Sequence, residues 1–490
     1  MTSFASRCGI HDAARVAACE QVLRTLREQS IDRVRIGWCD THGVLRGKTL
    51  MAAAVPDALA EGIGLVGTLL LKDTSDRTAF KVFEPGLAAT LPGFEFAANL
   101  QLLPDPASFQ LLPWAPGTGW MQGQPWFPDA RPVTIDTRRV LQAALARLAD
   151  AGFGLRCGLE IEFHVYRIVQ DRLDPAHAAW PGEPPELQLI HPGYNLLAEA
   201  NADMADEALR VVQHTAQGLG LPLRSLEIEL GPSQVEAVFD VSDALAAADA
   251  MVLFRNGVKQ ALRRAGYHAS FVCRPPFDHV MASGWHLHQS LVDGGTGRNA
   301  FVRAQPAAGS TPRDANHLLS DAGEHWLAGL LAHARGAAVL GTPTINGFGR
   351  FRPNALAPQA VLWGRDNRGA MLRVIGGAGD AATRIENRVG EPMANPYLYI
   401  ASQIHAGLDG LARQRRAPQA TEAPYAAAAE MLPTSLGEGL AALHADDALV
   451  AALGPAWVDW FTQIKHAEMA RHNVAEDKAD WERREYFSRY

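Results

Sequence analysis

Apolar and polar residues alternate in a short stretch in the first half of the chain. The apolar positions of "GLEIEFHVY" (158–166) share one face of an extended strand: Leu159, Ile161, Phe163 and Val165. Glu160 and Glu162 fall on the opposite face. A period of two is typical of a half-buried strand. Because "SLEIEL" (225–230) repeats the pattern with Glu227 and Glu229, the sequence predicts two strands with carboxylates on their polar faces.

Two further stretches alternate in the same way with other polar groups. In "ASGWHLHQSL" (282–291), Trp285 and Leu287 face one way, and the residues that face the other way are His286, His288 and Ser290. In "TRIENRVGEP" (383–392) the polar positions are Arg384, Glu386 and Arg388. A half-exposed strand explains any one of these faces. Four faces rich in carboxylate, imidazole and guanidinium groups predict one shared site with cations, because unpaired buried carboxylates are costly.

Other elements follow from the same reasoning. The segment 31–50 is predicted to form a strand, a turn at "DTHG" and a second strand. Seven prolines in 102–132 are expected to break any long element, and a domain boundary is placed near the end of that segment. The segment 133–153 predicts a helix that Asp136 caps. Its apolar stripe consists of Val140, Leu141, Ala144, Leu145 and Leu148.

Composition narrows the class of protein. The chain has 490 residues, of which 48% are hydrophobic and 20% charged, which is enough for two or more domains. A formal charge of −8 argues against a nucleic-acid partner. No apolar run approaches the roughly 18 residues of a membrane span, and the N-terminus lacks the pattern of a secretion signal. Five scattered cysteines without a C-x-x-C pair favour a reduced, cytoplasmic protein.

The ligand types indicate which cations the site would hold. Five or six carboxylates with one or two imidazoles and no thiolate suit Mg²⁺ or Mn²⁺ better than structural zinc. Five arginines within some forty residues supply planar, permanently charged groups: Arg350, Arg368, Arg373, Arg384 and Arg388. Divalent ions beside arginines suggest a phosphate in transfer. Neither a Walker loop nor a kinase glycine loop is present.

Seven motifs, taken in order, resemble those of the glutamine synthetase family. They are "DTHGVLRGK", "EIEF", "GPSQVE", "SGWHLHQS", "NGFGRFRP", "DNRGAMLRV" and "RIENRVGEPMANPYL". The resemblance runs from about residue 30 to the final "WERREYF". It implies an α+β fold: an N-terminal helical lead-in (1–29), a β-grasp domain (30–128) and a catalytic domain (129–490) with a curved antiparallel sheet. It also implies a ring-shaped homo-oligomer, commonly a dodecamer, with active sites between subunits.

The resemblance implies a role for each matching residue. One metal ion falls to Glu162, Glu229 and Glu236, a second falls to Glu160, His286 and Glu386, and two or three ions are expected per site. The residues expected on the ATP side are His288, Ser290, Arg373 and Arg384. The residues expected to hold glutamate are Glu162, Ala282, Arg350 and Arg388. The arginines expected to act in catalysis are Arg350, Arg368 and Arg373. Glu227 has no role in the family.

The implied reaction is the ATP-dependent phosphorylation of the γ-carboxylate of glutamate, followed by attack of an amine. The residues expected at the amine are Tyr194, Glu229 and Leu356. Family members that use ammonia carry a flap glutamate at the position of Leu356, where it binds ammonium and takes its proton. Met281 and Ala282 replace an Asn-Gly pair that binds glutamate, which bears on the identity of the acid substrate.

Leu356 favours an aromatic amine over an aliphatic one. An aliphatic ammonium resembles lysine, with a pKa near about 10.4, and needs a base or an acidic pocket. An aniline-type amine is largely uncharged at neutral pH and prefers an apolar wall, here Leu356 with Trp285 or Phe348. The open alternatives are ligases for polyamines, ethanolamine or alkylamines, an ammonia-fixing glutamine synthetase, a non-catalytic relative and a guanidino kinase. The sequence leaves open the amine, the ring size and the choice between Mg²⁺ and Mn²⁺.

Overall fold

Two β-sheets organise the chain. The computed structural model describes residues 2–84, 86–352 and 357–490, without the side chains of residues 88 and 89. The strands of the first sheet are β1 (Arg33–Cys39), β2 (Leu45–Met51), β3 (Ile63–Val66), β4 (Asn99–Pro104), β5 (Gln110–Leu111) and β6 (Thr118–Trp126). Their order is β2-β1-β6-β4-β3, with β5 paired to β6. The predicted hairpin at 31–50 is present as β1 and β2, paired antiparallel.

The second sheet has nine strands. They are β7 (Phe153–Gln170), β8 (Glu186–Leu189), β9 (Leu223–Ile228), β10 (Gln234–Asp243), β11 (Tyr267–Ser270), β12 (Trp285–Asp293), β13 (Trp363–Arg365), β14 (Leu372–Ile375) and β15 (Arg384–Asn387). Their order is β13-β14-β15-β12-β7-β10-β9, and β8 and β11 also pair with β7. All neighbours are antiparallel except β13 and β14.

Helices surround both sheets. They are α1 (Phe4–Arg7), α2 (Ala13–Glu28), α3 (Val55–Glu61), α4 (Leu87–Thr90), α5 (Thr137–Asp150), α6 (Glu199–Gly218), α7 (Ala244–Arg264), α8 (Ala315–Leu318), α9 (Asp321–Ala332), α10 (Ala334–Gly341), α11 (Ile345–Phe348), α12 (Pro396–Ala412), α13 (Leu436–His444), α14 (Asp447–Leu453), α15 (Pro455–Asn473) and α16 (Lys478–Glu482). A π-helical turn, Arg483–Phe487, follows α16. No helix in the described ranges has the length and apolar character needed to cross a membrane.

Helix α5 matches the helix that the sequence predicts. The carboxylate of Asp136 accepts a hydrogen bond from the backbone N–H of Arg139 at 3.1 Å, as an N-cap residue does. It also accepts from the indole N–H of Trp38 on β1 at 2.7 Å. Four residues of the predicted apolar stripe are buried, and Leu145 is partly buried. Asp136 therefore links the first sheet to the helix that leads into the second.

The prediction for the proline-rich segment 102–132 is wrong in one respect. It was expected to contain no long element, but β6 runs through it for nine residues. Pro113 and Pro116 precede the strand, and Pro125 lies one residue from its end. Proline is tolerated near strand ends, where a ladder hydrogen bond is not lost from the centre of a sheet. The position of the domain boundary near residue 128 stays a prediction.

One face of the second sheet is buried against helices. The four apolar residues of "GLEIEFHVY" are at most 2% exposed, as the alternation predicts. The ring of Phe163 stacks on Phe271 at 4.8 Å and meets Phe254 of α7 edge-on at 5.8 Å. Because side chains alternate along a strand, this core fixes the opposite face of β7, where Glu160 and Glu162 lie.

Candidate active site

Cross-strand register brings the predicted polar residues together on one face of the second sheet. Glu162 on β7 lies opposite Glu236 on β10. Glu160 lies opposite His286 on β12, and His288 on β12 lies opposite Glu386 on β15. Residues directly opposite in an antiparallel pair point to the same side of the sheet. Side chains from four strands therefore converge, although the first and the last of them are more than 200 residues apart in sequence.

The distances within this cluster are those of potential metal ligands. His286 Nδ1 lies 3.4 Å from Glu160 Oε2 and 3.8 Å from Glu386 Oε1, and His286 Nε2 lies 3.8 Å from Glu162 Oε1. His288 Nε2 lies 3.0 Å from Glu160 Oε1. Two groups have all their ligand atoms within 4.8 Å of one another: Glu160, Glu236 and His286, and Glu160, His288 and Glu386.

All six residues predicted as metal ligands meet at this cluster. Glu229 joins it at the end of β9, where its side chain hydrogen-bonds to Glu236. These two groups are not the two ligand sets that the family resemblance implies, since Glu160 belongs to both groups. Which ion each residue serves stays a prediction.

The charges of the cluster fit a site for hard divalent cations. Burial, with the charges of Glu162 and Glu160, raises the pKa of Glu236 to about 10. Burial and the charge of Glu229 raise the pKa of Glu162 to about 7, and burial raises the pKa of Glu229. Glu236 Oε1 is buried and has no hydrogen-bond partner among the described residues. Carboxylates that are buried this closely hold protons or cations, and oxygen-rich sites of this kind suit Mg²⁺ or Mn²⁺.

The pKa values of Glu160 and His286 are lowered, whereas those of three other carboxyl groups in the cluster are raised. Burial would raise the pKa of Glu160, but hydrogen bonds with His286 and His288 outweigh it and lower that pKa. Burial, with the charge of Arg388, lowers the pKa of His286 to about 4. A neutral imidazole beside an ionised carboxylate is the state in which both can bind a metal ion.

Three of the predicted arginines lie at the cluster. Arg373 Nη1 donates to Glu386 Oε2 at 2.9 Å, and Arg388 Nη1 donates to Glu386 Oε1, so that both guanidinium groups share one fully buried carboxylate. Arg350 Nη1 donates to the carbonyls of Val389 and Gly390 at 3.2 and 3.1 Å. The Arg350 guanidinium lies so close to Gly284 that a side chain there would collide with it.

Arg368 does not reach the cluster. It is exposed in the turn after β13 and borders a different hollow with Arg313 and Arg365. Its assignment to the transferring phosphoryl group stays a prediction.

A hollow of about 570 Å³ opens beside the cluster. His288, Ser290 and Arg384 line it, together with Glu160, Arg156 and Arg224. Arg384 Nε donates to His288 Nδ1 at 3.1 Å, which orients the imidazole toward Glu160. The hollow has the size of a small-molecule site. Three of the four residues predicted on the ATP side line it, and Arg373 lies deeper, on Glu386.

The loop before β12 contacts Glu162 directly. Glu162 Oε2 accepts hydrogen bonds from the backbone N–H of Gly284 at 2.8 Å and from Gln234 Nε2 at 3.2 Å. Gln234 Nε2 also lies 3.3 Å from the carbonyl of Ala282, a residue predicted to bind glutamate. The sequence assigned no role to Gln234, although it lies in the motif "GPSQVE" beside Glu236.

Of the three residues predicted at the amine, Tyr194 and Glu229 lie within the described residues. Tyr194 is exposed, its backbone N–H donates to the carbonyl of Leu230 at 2.6 Å, and its hydroxyl donates to the carbonyl of His279. Tyr194 therefore contacts Leu230, the residue that follows Glu229, and its assignment to the amine site stays a prediction. Leu196 and Leu197 are also exposed along this segment.

The proposed apolar wall needs correction. Leu356 lies outside the described residues. Trp285 is fully buried on the other face of β12, edge-on to Tyr399 at 5.1 Å. Phe348 is 4% exposed and lies against Gly439 of α13. Both rings belong to the core, since the alternation that turns His286 toward the cluster turns Trp285 away from it.

Comparison with known proteins identifies the family. The profile for the glutamine synthetase catalytic domain matches residues 134–486. The chain belongs to the glutamine synthetase family. It is thus a ligase of the glutamine synthetase type.

Several relatives in this family match nearly the whole chain. The γ-glutamylanilide synthase of Acinetobacter sp is 38% identical and is matched over 96% of each chain. The γ-glutamylethanolamide synthetase GlnA4 of Streptomyces coelicolor is 30% identical over 94% of this chain and 93% of its own. A glutamine synthetase of Mycolicibacterium smegmatis is 31% identical over 92% and 95%.

Solved structures confirm the α+β glutamine synthetase-type fold. A GmaS complex with ADP aligns with a TM-score of 0.75 at 28% identity, covering 94% of this chain and 98% of that chain. A structure described as a novel glutamine synthase homologue has the same TM-score at 25% identity, with coverages of 93% and 99%.

Proposed function

We propose that this member of the family joins the γ-carboxylate of L-glutamate to an aromatic amine of the aniline type, with hydrolysis of ATP to ADP. The observation that carries the catalytic part is the convergence of five glutamates and two histidines on one face of the second sheet. The cluster would hold two or three Mg²⁺ or Mn²⁺ ions through the six predicted ligands. Such ions neutralise phosphate charge and orient the reacting carboxylate.

The chain's own residues would bind and orient the substrates. Glu160, His288 and Arg384 border the hollow of about 570 Å³, where ATP would lie with its phosphates toward the carboxylates. Arg373 and Arg388 are held by Glu386, and Arg350 is held by two backbone carbonyls. Guanidinium groups fixed in this way need no reorganisation when charge develops on a transferring phosphoryl group.

The reaction then has two steps. The γ-carboxylate attacks the γ-phosphorus of ATP, and ADP leaves, giving γ-glutamyl phosphate. The nitrogen of the amine attacks the activated carbonyl carbon, phosphate leaves, and the nitrogen loses a proton as the amide forms. The arginines would stabilise negative charge in both steps, and Glu162 and Arg388 would orient glutamate.

Three observations support an aromatic amine. A relative with 38% identity over 96% of the chain is named for an anilide product. Leu356 occupies the position at which ammonia-using members carry a carboxylate, and a leucine neither binds ammonium nor accepts its proton. The segment that pairs with residues 228–230 exposes three large side chains with apolar surface, Tyr194, Leu196 and Leu197. A weakly basic amine needs contact area more than it needs a base.

An aliphatic amine is the second candidate. A relative with 30% identity is named for an ethanolamide product, so a hydroxyalkylamine, polyamine or alkylamine would suit the same catalytic machinery. Glu229 beside Tyr194 would then bind the ammonium group.

We also propose the assembly that the family resemblance implies. The chain would form a cytoplasmic ring, commonly of twelve subunits, from a β-grasp domain (30–128) and a catalytic domain (129–490). The stretch 66–76, which begins with the exposed Val66, would face the neighbouring subunit's amine site. Sedimentation of the purified protein tests the ring.

The test of function is ADP and phosphate release with glutamate and Mg²⁺ across a panel of ammonium, putrescine, spermidine, ethanolamine, isopropylamine and aniline, with products identified by mass. We expect γ-glutamylanilide as the main product and little glutamine. A main product from putrescine or ethanolamine would replace the aromatic amine by the second candidate. If no amine gave ADP and phosphate release, the proposal of a glutamate ligase would be refuted. Other acids would be tested next, because Met281 and Ala282 replace the pair that binds glutamate in the family.

A further inference from the structure

One buried side chain joins three parts of the active site. Gln234, at the start of β10, is 1% exposed. Its Oε1 accepts a hydrogen bond from the backbone N–H of Gly231 at 2.9 Å. Its Nε2 contacts Glu162 Oε2 at 3.2 Å, and it also lies 3.1 Å from Ser283 Oγ and 3.3 Å from the carbonyl of Ala282. A single amide therefore touches the turn after β9, a predicted metal ligand and the loop before β12.

The orientation of this amide is fixed by its partners. The N–H of Gly231 can only donate, so the amide oxygen faces it and both N–H bonds of Nε2 face Glu162 and the loop. A side chain at position 231 would lie 2.6 Å from Gln234 Oε1, so only glycine permits this approach. The backbone carbonyl of Gln234 also accepts from the N–H of Glu229 at 3.0 Å.

The amide determines which oxygen of Glu162 is free. Glu162 Oε2 already accepts from Gln234 and from the N–H of Gly284. Its other oxygen, Oε1, is turned toward His286 Nε2 at 3.8 Å, where the predicted ions would lie. Without the donation from Gln234, Oε2 would keep the N–H of Gly284 as its donor but lose the second one. The loop that bears Ala282 and Ser283 would keep its backbone bond to Glu162 but lose its contacts with the start of β10.

We propose that Gln234 is a positioning residue that couples the divalent-ion site to the loop that binds the acid substrate. It holds Glu162 with Oε1 toward the ions and holds the backbone of 282–284 at the distance at which glutamate is bound. The inference rests on the proposed function, because it presumes that Glu162 serves both an ion and glutamate. Partners that orient metal ligands typically change metal affinity about 10- to 100-fold when removed.

The test compares two isosteric substitutions. Gln234→Met keeps the length of the side chain and removes all its hydrogen bonds. Gln403→Met is the matched control, because Gln403 is 2% exposed and bonds to Gln289, Asn387 and Ser402 on the other face of the sheet. For Gln234→Met we expect Mn²⁺ binding, measured by electron paramagnetic resonance on the metal-free protein, to weaken about 10- to 100-fold. We expect KM for glutamate to rise at least about tenfold and KM for ATP to change less than about threefold.

Gln403→Met should leave Mn²⁺ affinity and both KM values near those of the wild type. Equal Mn²⁺ affinity and glutamate KM in the two variants would overturn the proposal. If Gln234→Met does not fold, Gln234→Leu removes the same hydrogen bonds with a smaller side chain, and an unchanged glutamate KM in that variant would also overturn it. Mn²⁺ binding needs no turnover, so a wild type without ligase activity would refute the proposed function and leave the Gln234 comparison decisive.

Discussion

Glu236 on β10 lies directly opposite Glu162 on β7, on the polar face of the sheet. Both carboxyl groups are largely buried, and Glu229 hydrogen-bonds to the first of them. Like charges directly opposite in a sheet are destabilising. The free energy of unfolding is therefore lower than it would be with a neutral pair, and binding of a divalent cation would raise it again.

Glu236→Gln should stabilise the metal-free protein and abolish its function. Burial raises the pKa of Glu236 in the folded protein to about 10, far above its unfolded value. The free energy of unfolding therefore falls as pH rises above the unfolded pKa, because the unfolded chain ionises this group first. Near pH 8 in EDTA, we expect the free energy of unfolding of the variant to exceed that of the wild type by at least about 1 kcal/mol. Thermal unfolding measures this, and Mg²⁺ should raise Tm in the wild type only. Activity should fall at least about hundredfold. A lower Tm in the variant would contradict the assignment.

Glu386→Gln should have the opposite effect on stability. Glu386 is fully buried and accepts from both Arg373 and Arg388. Burial would raise its pKa, but His286 when protonated and the charge of Arg388 lower it, so the carboxylate is ionised in the folded protein. Removing a charge that two buried guanidinium groups share should cost about 3 kcal/mol or more. Denaturant unfolding of the two variants side by side, both in EDTA, checks the contrast in sign.

His333 predicts a pH dependence far from the active site. Burial lowers its pKa, but hydrogen bonds to Asp446 and Asp409, at 2.8 and 3.0 Å, outweigh this and raise it. A histidine with a raised folded pKa contributes stability that is complete below its unfolded pKa of about 6.5 and is lost as pH rises through the folded pKa. As pH rises above 6.5, the free energy of unfolding of the wild type should thus fall by about 1–3 kcal/mol more than that of His333→Gln. Parallel pH profiles for the two proteins would refute it.

Alternation along single strands was enough to predict the polar face of the site. A period of two determines which side chains share a face, so Glu160, Glu162, His286 and His288 could be grouped from the sequence. Their register could not, because the pairing of β7 with β10 joins segments some seventy residues apart and is interrupted by an irregularity between Phe239 and Ser242. The opposition of Glu162 and Glu236 depends on that register.

Residues that act through three-dimensional contacts were harder to predict. Gln234 lies in a quoted motif, but its contacts with Glu162 and Ser283 need strands and loops that the sequence does not order. Trp285 was predicted at the amine site, but the alternation that turns His286 toward the cluster turns Trp285 into the core. Arg368 was assigned by motif, and its exposed turn depends on how the segment after β13 folds.

Leu356→Glu should shift the choice of amine toward ammonium. A carboxylate at this position would attract an ammonium ion and accept its proton, and general-base catalysis contributes about 10²- to 10⁴-fold. We expect kcat/KM for ammonium to rise at least about tenfold and kcat/KM for aniline to fall, because a charged side chain replaces an apolar one. Competition between the two amines in one reaction, with glutamine and γ-glutamylanilide quantified by mass, measures the ratio directly.

Leu356→Gln is the control for this prediction, since it has the size of glutamate without the charge. It should lose activity with aniline, because a polar amide replaces an apolar side chain, but should gain none with ammonium. If Gln and Glu raise ammonium use equally, the space at this position and not its charge selects the amine, and the argument from the missing carboxylate fails. If neither variant alters the ratio, selection lies with the Tyr194 segment, where Leu196→Asp and Leu197→Asp would be the next substitutions to compare.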